Sequence, residues 1–367
     1  MNYPIRVLNL FGVLDRGGAE TLVMNIYRNI DRKKIQFDFI VHGEQKGAFE
    51  DEVEQMGGIV YHMPKIGVKS YLQYVKALRK FFKEHTEYRI IHSHLSELGY
   101  VAFREAKRAG IPIRICHAHN APIGFNYKTP IRYIFKKLIL PISTERLACG
   151  VAAGKWQYGK KKFSVINNGI DVEKFAFNPA IRKELREKYM LEDKIVIGHI
   201  GRFEPQKNHE FLITFFSELV KSHPNAVLML IGDGSRRSVI EKKVEELQLS
   251  DKVMLMGVQS NPEEFLQMFD IFAFPSLFEG FGIALIEAQC TGVQCIASTG
   301  VTSESNITGL VEYVSLEDIN AWINAAENKL AKQERKSYSF EIKEKGFDIK
   351  SQASEVQDIY INLASSL

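Results

Sequence analysis

The chain has 367 residues, 45% apolar and 25% charged, with a net charge of +4. That length suits two soluble domains, each able to bury a sizeable core. The mild basicity excludes a dedicated nucleic-acid binder and suits anionic small molecules or an anionic membrane surface. Cys116, Cys149, Cys290 and Cys295 form no Cys-x-x-Cys pair and read as buried thiols of a reducing compartment. Met1 to Leu8 has a strand pattern rather than that of a signal peptide, and no apolar run reaches the roughly 18 residues of a membrane helix. A cytoplasmic protein able to lie against a membrane is expected.

In chain order, IRVLNLFG (5–12) reads as a strand, and Ala19, Leu22, Val23, Ile26 and Ile30 follow at helical spacing. FDFIVHG (37–43), GIVYHMP (58–64), IIHSH (90–94), IRICHAH (113–119) and RLACGV (146–151) are further strands. Amphipathic stretches near 70–84, 97–109 and 129–140 separate the later ones. The alternation then breaks at NNGIDVEKFAFNPA (167–180), and a charged surface helix follows over 182–194. It restarts with strands KIVIGHIG (194–201), AVLMLIGDG (226–234), KVMLMGV (252–258), IFAFPS (271–276) and QCIAS (294–298). Alternation of this kind predicts parallel sheets covered on both faces. The expected fold is α/β, with two doubly wound Rossmann-like domains facing a central cleft. Their boundary is expected near 172–193, with a first domain over 1–175 and a second over 190–345. The segment 346–367 is expected to be a terminal helix packing back toward the first domain.

Open parallel sheets bind ligands outside the carboxyl ends of their strands. Gly17-Gly18-Ala19-Glu20 follows the first strand and opens a helix. The two glycines would let a phosphate approach free N–H groups at the helix N-terminus, although a turn that only positions a helix has the same sequence. Gly201 to Asn208, GRFEPQKN, follows a strand and carries Arg202 and Lys207. Arg can clamp a diphosphate with two parallel hydrogen bonds, and Lys adds a point charge. Two solvated loop charges are the alternative.

The most specific string runs from Pro275 to Glu287. A strand ends at Ser276 and a helix is expected from about Gly282. Glu279 then falls at the helix entrance and Glu287 in the second turn. Glu287 lies in an otherwise apolar helix, where a carboxylate is unfavourable without a partner. A ribose with two hydroxyl donors would suit it. Gly280 and Gly282 leave N–H groups open to an anion. Finally, His92-Ser93-His94 and His117-Ala118-His119 each end a strand, with i and i+2 on one face. That geometry could hold a metal, but no carboxylate completes either string and Asn120 follows the second. His119 is expected to be the functional one, as a polar group reaching the cleft, and no metal is expected.

In order, GGAE (17–20), HSHLSELG (92–99), HAHN (117–120), NNGID (167–171), GRFEPQKN (201–208) and EGFGIALIE (279–287) resemble the motifs of a retaining glycosyltransferase of family 4 with the two-domain GT-B fold. The resemblance covers nearly the whole chain, and the overall look is similar to bacterial enzymes that build exopolysaccharide or capsule repeat units. It implies a nucleotide-diphosphate sugar as donor, no cofactor and no metal. Arg202 and Lys207 would hold the diphosphate and Glu287 the ribose. Glu279, Gly280, Phe281 and Gly282 would hold the sugar hydroxyls and phosphate. Gly17 and Gly18 would approach the phosphate from the other domain, and His119 would sit beside the sugar near the acceptor. The implied acceptor is a saccharide or lipid-linked saccharide, with peripheral contact at the inner face of the membrane. A basic and apolar stretch, Tyr127-Lys128 through Leu140, carries that last expectation; packing of its Ile131, Ile134, Phe135, Leu138 and Ile139 on the sheet is the alternative. The chain departs from the family's pattern at Ser298–Glu304, where many members have Gly-Gly-x-x-Glu, and at Asn167, where proline is usual. A GT-B epimerase or a non-catalytic nucleotide-sugar-binding subunit would share most of these features.

Overall fold

The computed structural model describes residues 4–67, 69–119, 129–332 and 335–367. Asn120, Tyr127 and Lys128 lie outside them. The chain divides into two compact units, Met1–Gly169 with Ile349–Leu367, and Ile170–Asp348.

The first unit alternates strand and helix: β1 (Ile5–Leu10), α1 (Gly18–Asn29), β2 (Ile35–His42), α2 (Glu50–Gln55), β3 (Val60–Met63), α3 (Tyr71–Glu84), β4 (Ile90–Ser93), α4 (Tyr100–Arg108), β5 (Ile113–Ala118), α5 (Thr129–Ile139), β6 (Glu145–Ala148), α6 (Val151–Tyr158) and β7 (Ser164–Val165). Its seven strands are parallel in the order β3-β2-β1-β4-β5-β6-β7. Every residue of β2 is buried, including its polar Gln36, Asp38 and His42. Its one charge, Asp38, is fully buried but satisfied. Arg6 Nε donates to it at 2.6 Å, the Tyr88 hydroxyl at 2.9 Å and the Ile59 N–H at 2.8 Å. On α5 the expected apolar face divides. Ile139 is buried, whereas Ile131, Tyr133, Ile134 and Leu138 are exposed at 46%, 52%, 51% and 40%.

The second unit runs α7 (Pro179–Lys188), β8 (Ile195–Ile200), α8 (His209–Ser222), β9 (Ala226–Ile231), α9 (Arg237–Glu246), β10 (Val253–Gly257), α10 (Pro262–Met268), β11 (Ile271–Phe274), α11 (Ile283–Cys290), β12 (Gln294–Ser298), β13 (Val311–Val314), α12 (Ile319–Leu330) and α13 (Ser339–Glu344). Six parallel strands follow the order β10-β9-β8-β11-β12-β13. Phe215, Phe216, Leu219 and Trp322 pack with Leu228, Leu230 and Ile296 in its core. The edge strands β7 and β13 have no counterpart in the sequence reading; with 2 and 4 residues they carry too little periodicity.

The units meet at Gly169–Ile170, so the charged helix α7 belongs to the second unit rather than to a linker. Asn178 caps it through Oδ1, and Arg182 and Arg186 bind Asp270 at the start of β11 (2.5 and 3.1 Å). The last helix, α14 (Ile349–Ser365), belongs to the first unit and packs on α1. Its Gln352 accepts from Gly169 N–H at 3.0 Å, and its Gln357 accepts from Asp31 N–H at 3.0 Å.

Each sheet reverses its strand order once, between β1 and β4 and between β8 and β11. Gly17 and Gly18 lie past the carboxyl end of β1, and Arg202, Lys207 and Glu279 past those of β8 and β11, where open α/β sheets bind ligands; His119 follows β5, one strand out, and Glu287 stands on α11.

Candidate active site

In the second unit, two loops lie side by side. One leaves β8 and the other leaves β11, its neighbour in the sheet. Leu277 N–H donates to the Gln206 carbonyl and the Gln206 side chain donates to the Phe278 carbonyl, both at 2.8 Å. The turn after β9 braces the first loop from the other side. Gly232 has φ +140°, and a Cβ there would stand 2.0 Å from the Gly201 carbonyl oxygen, so only glycine permits this approach. Phe203 N–H closes the brace by donating to the Asp233 carbonyl at 2.8 Å.

These braces bring Lys207 and Glu279 together. Lys207 Nζ donates to Glu279 Oε1 at 2.5 Å and stands 4.9 Å above the Phe274 ring. The pair is largely shielded, with side-chain exposures of 18% and 9%, so its mutual attraction is weakly screened. Arg202, on the same loop, is exposed and makes no side-chain hydrogen bond or ion pair with a described residue. Gly282 follows with φ +81° as the residue before α11, whose N-terminus no side chain caps. Phe281 is placed differently from the rest. Its ring is buried and stacks on Phe347 at 5.5 Å, so only its backbone is left for a ligand.

Glu287 is half-buried on α11. Burial, with Glu263 nearby and Lys174 partly opposing, pushes its carboxyl up to about 7. Lys174 and Glu263 form an ion pair at 2.9 Å and line a small cavity with Phe177, Asn178 and Gln267. The site therefore has a cationic part around Lys207 and Arg202 and a carboxyl group poised near neutrality on α11.

In the first unit, Gly17 precedes α1 and no side chain caps that helix. The Glu20 carboxylate occupies the space beside Gly17, where an added Cβ would meet Oε2 at 2.3 Å. Gly18 has open space at that position. The four histidines gather at the ends of β4 and β5, all at least nine-tenths buried. His92 Nε2 lies 3.2 Å from His117 Nδ1, and His94 Nδ1 lies 2.9 Å from His119 Nε2. Burial pushes His92 and His119 down to about 3 and holds His94 and His117 well below the usual imidazole range. All four are therefore neutral at physiological pH. Ligating atoms of His92, His94 and His117 come within 4.8 Å of one another. Both nitrogens of His92 and His94 are already engaged, with Tyr360 and Asn9 holding the outer ends of the cluster at 2.6 and 3.2 Å.

The sequence reading missed Gln206, Lys174, Glu263, Asn9 and Tyr360. Asn9 had a signal, an amide inside the apolar strand β1. Tyr360 had none, because its partner lies 268 residues away.

Comparison with known proteins places this geometry. Residues 16–174 match the family model Glycosyltransferase Family 4, and residues 181–334 match Glycosyl transferases group 1. EpsF of Bacillus subtilis (strain 168), named as a glycosyltransferase, is 33% identical over 97% of this chain and 96% of its own. CapH of Staphylococcus aureus, a capsular polysaccharide biosynthesis glycosyltransferase, is 24% identical over 98% of this chain and 99% of its own. An Escherichia coli UDP-Gal:alpha-D-GlcNAc-diphosphoundecaprenol alpha-1,3-galactosyltransferase is 27% identical over 81% of this chain and 80% of its own. Among solved structures, Anabaena HepE in complex with UDP and glucose shares the fold, with a TM-score of 0.78 at 20% identity, covering 99% of this chain and 100% of that one. With a relative 33% identical over 97% of this chain, the chain belongs to the glycosyltransferase family, its first half matching family 4 and its second half group 1.

Proposed function

We propose that the protein is a retaining, metal-independent glycosyltransferase. It moves a sugar from a nucleotide-diphosphate sugar to a saccharide or lipid-linked saccharide acceptor in bacterial surface polysaccharide synthesis. The observation that carries this reading is the shielded Lys207–Glu279 pair, with an Arg202 on the Lys207 loop whose side chain has no partner among the described residues, and with the uncapped start of α11 following. In transfer, the bond from sugar C1 to the diphosphate oxygen breaks and the electron pair leaves with the diphosphate. The acceptor oxygen bonds C1 on the same face, and its proton passes to the departing oxygen. Arg202 and Lys207 offset the growing charge, helped by the α11 N-terminus. Lys207 exchanges its carboxylate partner for phosphate, which frees Glu279 to accept from sugar hydroxyls. Glu287, as a carboxylate, accepts from the ribose. Gly17, Gly18 and His119 act from the first unit.

The names of two relatives support a lipid-linked acceptor, since their substrates carry diphosphoundecaprenol or diphospho-undecaprenol. The face of α5 supports membrane contact. Its exposed Ile131, Ile134 and Leu138 lie on the same helix as Lys136 and Lys137, and the exposed Lys160, Lys161 and Lys162 follow α6 in the same unit. No helix among the described residues is long and apolar enough to cross a membrane. UDP-sugars are the first donors to test, because HepE is solved with UDP-glucose. Transfer from a UDP-sugar panel should depend on added lipid-linked acceptor and raise the melting temperature only with the accepted donor. A panel of nucleotide sugars that neither bind nor turn over would overturn the reading.

A further inference from the structure

The hydrogen bonds among the four histidines fix where each proton sits. Asn9 Nδ2 faces the carbonyls of Val7 and Asp38 at 3.3 and 3.4 Å, so Oδ1 is the atom facing His94 Nε2 at 3.2 Å. A carbonyl oxygen only accepts, so His94 Nε2 carries the proton and His94 Nδ1 is a lone pair. His119 Nε2, 2.9 Å from that lone pair, must donate. His119 Nδ1 is therefore a bare acceptor.

The second chain ends with the opposite sign. The Tyr360 hydroxyl is buried and has no other acceptor among the described residues, so its O–H donates to His92 Nδ1, 2.6 Å away, rather than being left unsatisfied. His92 Nε2–H then donates to His117 Nδ1 at 3.2 Å, leaving His117 Nε2–H as a donor. His119 Nδ1 and His117 Nε2 are both buried with no partner among the described residues. Each ring turns its other nitrogen toward the β4 histidines, so the two free atoms lie on the opposite edge. The rings stack 4.1 Å apart at 29°.

We propose that Asn9 and Tyr360 are positioning residues that set opposite polarities on neighbouring histidines, so that His119 and His117 offer one acceptor and one donor to the hydroxyls of a sugar. A hydroxyl pair matches this arrangement because each hydroxyl can both give and take a hydrogen bond. Unfilled, the two buried groups are a standing penalty, which a bound polyol relieves. The substrate class rests on the nucleotide-sugar reading; the proton assignment does not.

Nitrogen-15 spectra of histidine-labelled protein test the assignment without any ligand. All four rings should be neutral Nε2–H tautomers at pH 7, with signals assigned by single His→Gln variants. Asn9→Leu removes the acceptor and should move His94 and His119 to the Nδ1–H form. Asn9→Asp keeps an acceptor and should retain Nε2–H, as should Tyr360→Phe at those two rings. Asn9→Leu should also weaken UDP-glucose binding about tenfold while leaving UDP unchanged, the loss of one hydrogen bond to the sugar. An Nδ1–H form of His117 or His119 in the wild type overturns the proposal. So does an Asn9→Leu spectrum with His119 unmoved, an equal loss for UDP and UDP-glucose, or a spectrum that EDTA alters by removing a bound metal. Failure of the wild type to bind UDP-glucose counts against the nucleotide-sugar reading, because the tautomers are read in the free protein.

Discussion

The two units place their candidate residues at equivalent points of similar sheets, yet the chemistry there is opposite. In the second unit the group is charged: Lys207 against Glu279, with Arg202 exposed on the same loop. In the first it is neutral: four buried histidines held by an asparagine and a tyrosine. Charge suits a diphosphate, whose leaving group must be stabilised. Neutral hydrogen-bonding groups suit a sugar, which carries hydroxyls and no charge. On the proposed reading, one architecture serves two kinds of recognition, and the difference arises in loops and strand ends rather than in the sheets.

The largest expected effect lies on the charged side. Lys207→Ala and Arg202→Ala should each slow transfer about a hundredfold or more, corresponding to ~2–4 kcal/mol of leaving-group stabilisation. The melting temperature of each variant checks the fold, since Lys207→Ala also strips Glu279 of its ion-pair partner. Wild-type turnover in both folded variants would erase the contrast between the units.

Next comes the basic face of the first unit. Changing Lys136, Lys137, Lys160 and Lys161 to Gln should weaken binding to anionic vesicles roughly thirtyfold, if two of the four each contribute about 1 kcal/mol. Lys136 lies 3.9 Å over the Trp156 ring, so it is the one whose charge is least free to reach lipid. Donor-only hydrolysis should not change. Wild-type protein that fails to bind such vesicles at low salt rules out docking.

Glu287 should give a smaller, pH-dependent effect. Its folded carboxyl titrates near 7, well above an ordinary carboxyl. Nucleotide binding through the carboxylate should therefore strengthen about tenfold from pH 6 to 8, and Glu287→Gln should flatten that profile. Stability runs the other way. The folded state binds the proton more tightly, so this group's contribution is greatest below the ordinary carboxyl range and declines as pH rises toward 7. Calorimetry across that window should show the decline in the wild type and a shallower one in Glu287→Gln.

The smallest effect expected is none at all: transfer should persist in EDTA. Loss of activity, restored by magnesium or manganese, would instead give His92, His94 and His117 a metal to hold.

The sequence by itself determined the doubly wound sheets, because parallel strands buried on both faces are built from mostly apolar runs, as β9 is throughout. It also marked Lys207, Arg202, Glu279 and Glu287, since a charge at a strand end, or a carboxylate in an apolar helix, stands out locally. What lay beyond it was every property that depends on distant partners. That Lys207 reaches Glu279, 72 residues on, follows from β8 and β11 being neighbours in the sheet. That the ring of Phe281 stacks on Phe347 follows from the chain's return near 347. The polarity of the histidines was least legible of all. A proton's place on an imidazole depends on the hydrogen bond made by its other nitrogen. In this chain those bonds come from Asn9 on the first strand and Tyr360 on the last helix, which only the folded first unit brings together.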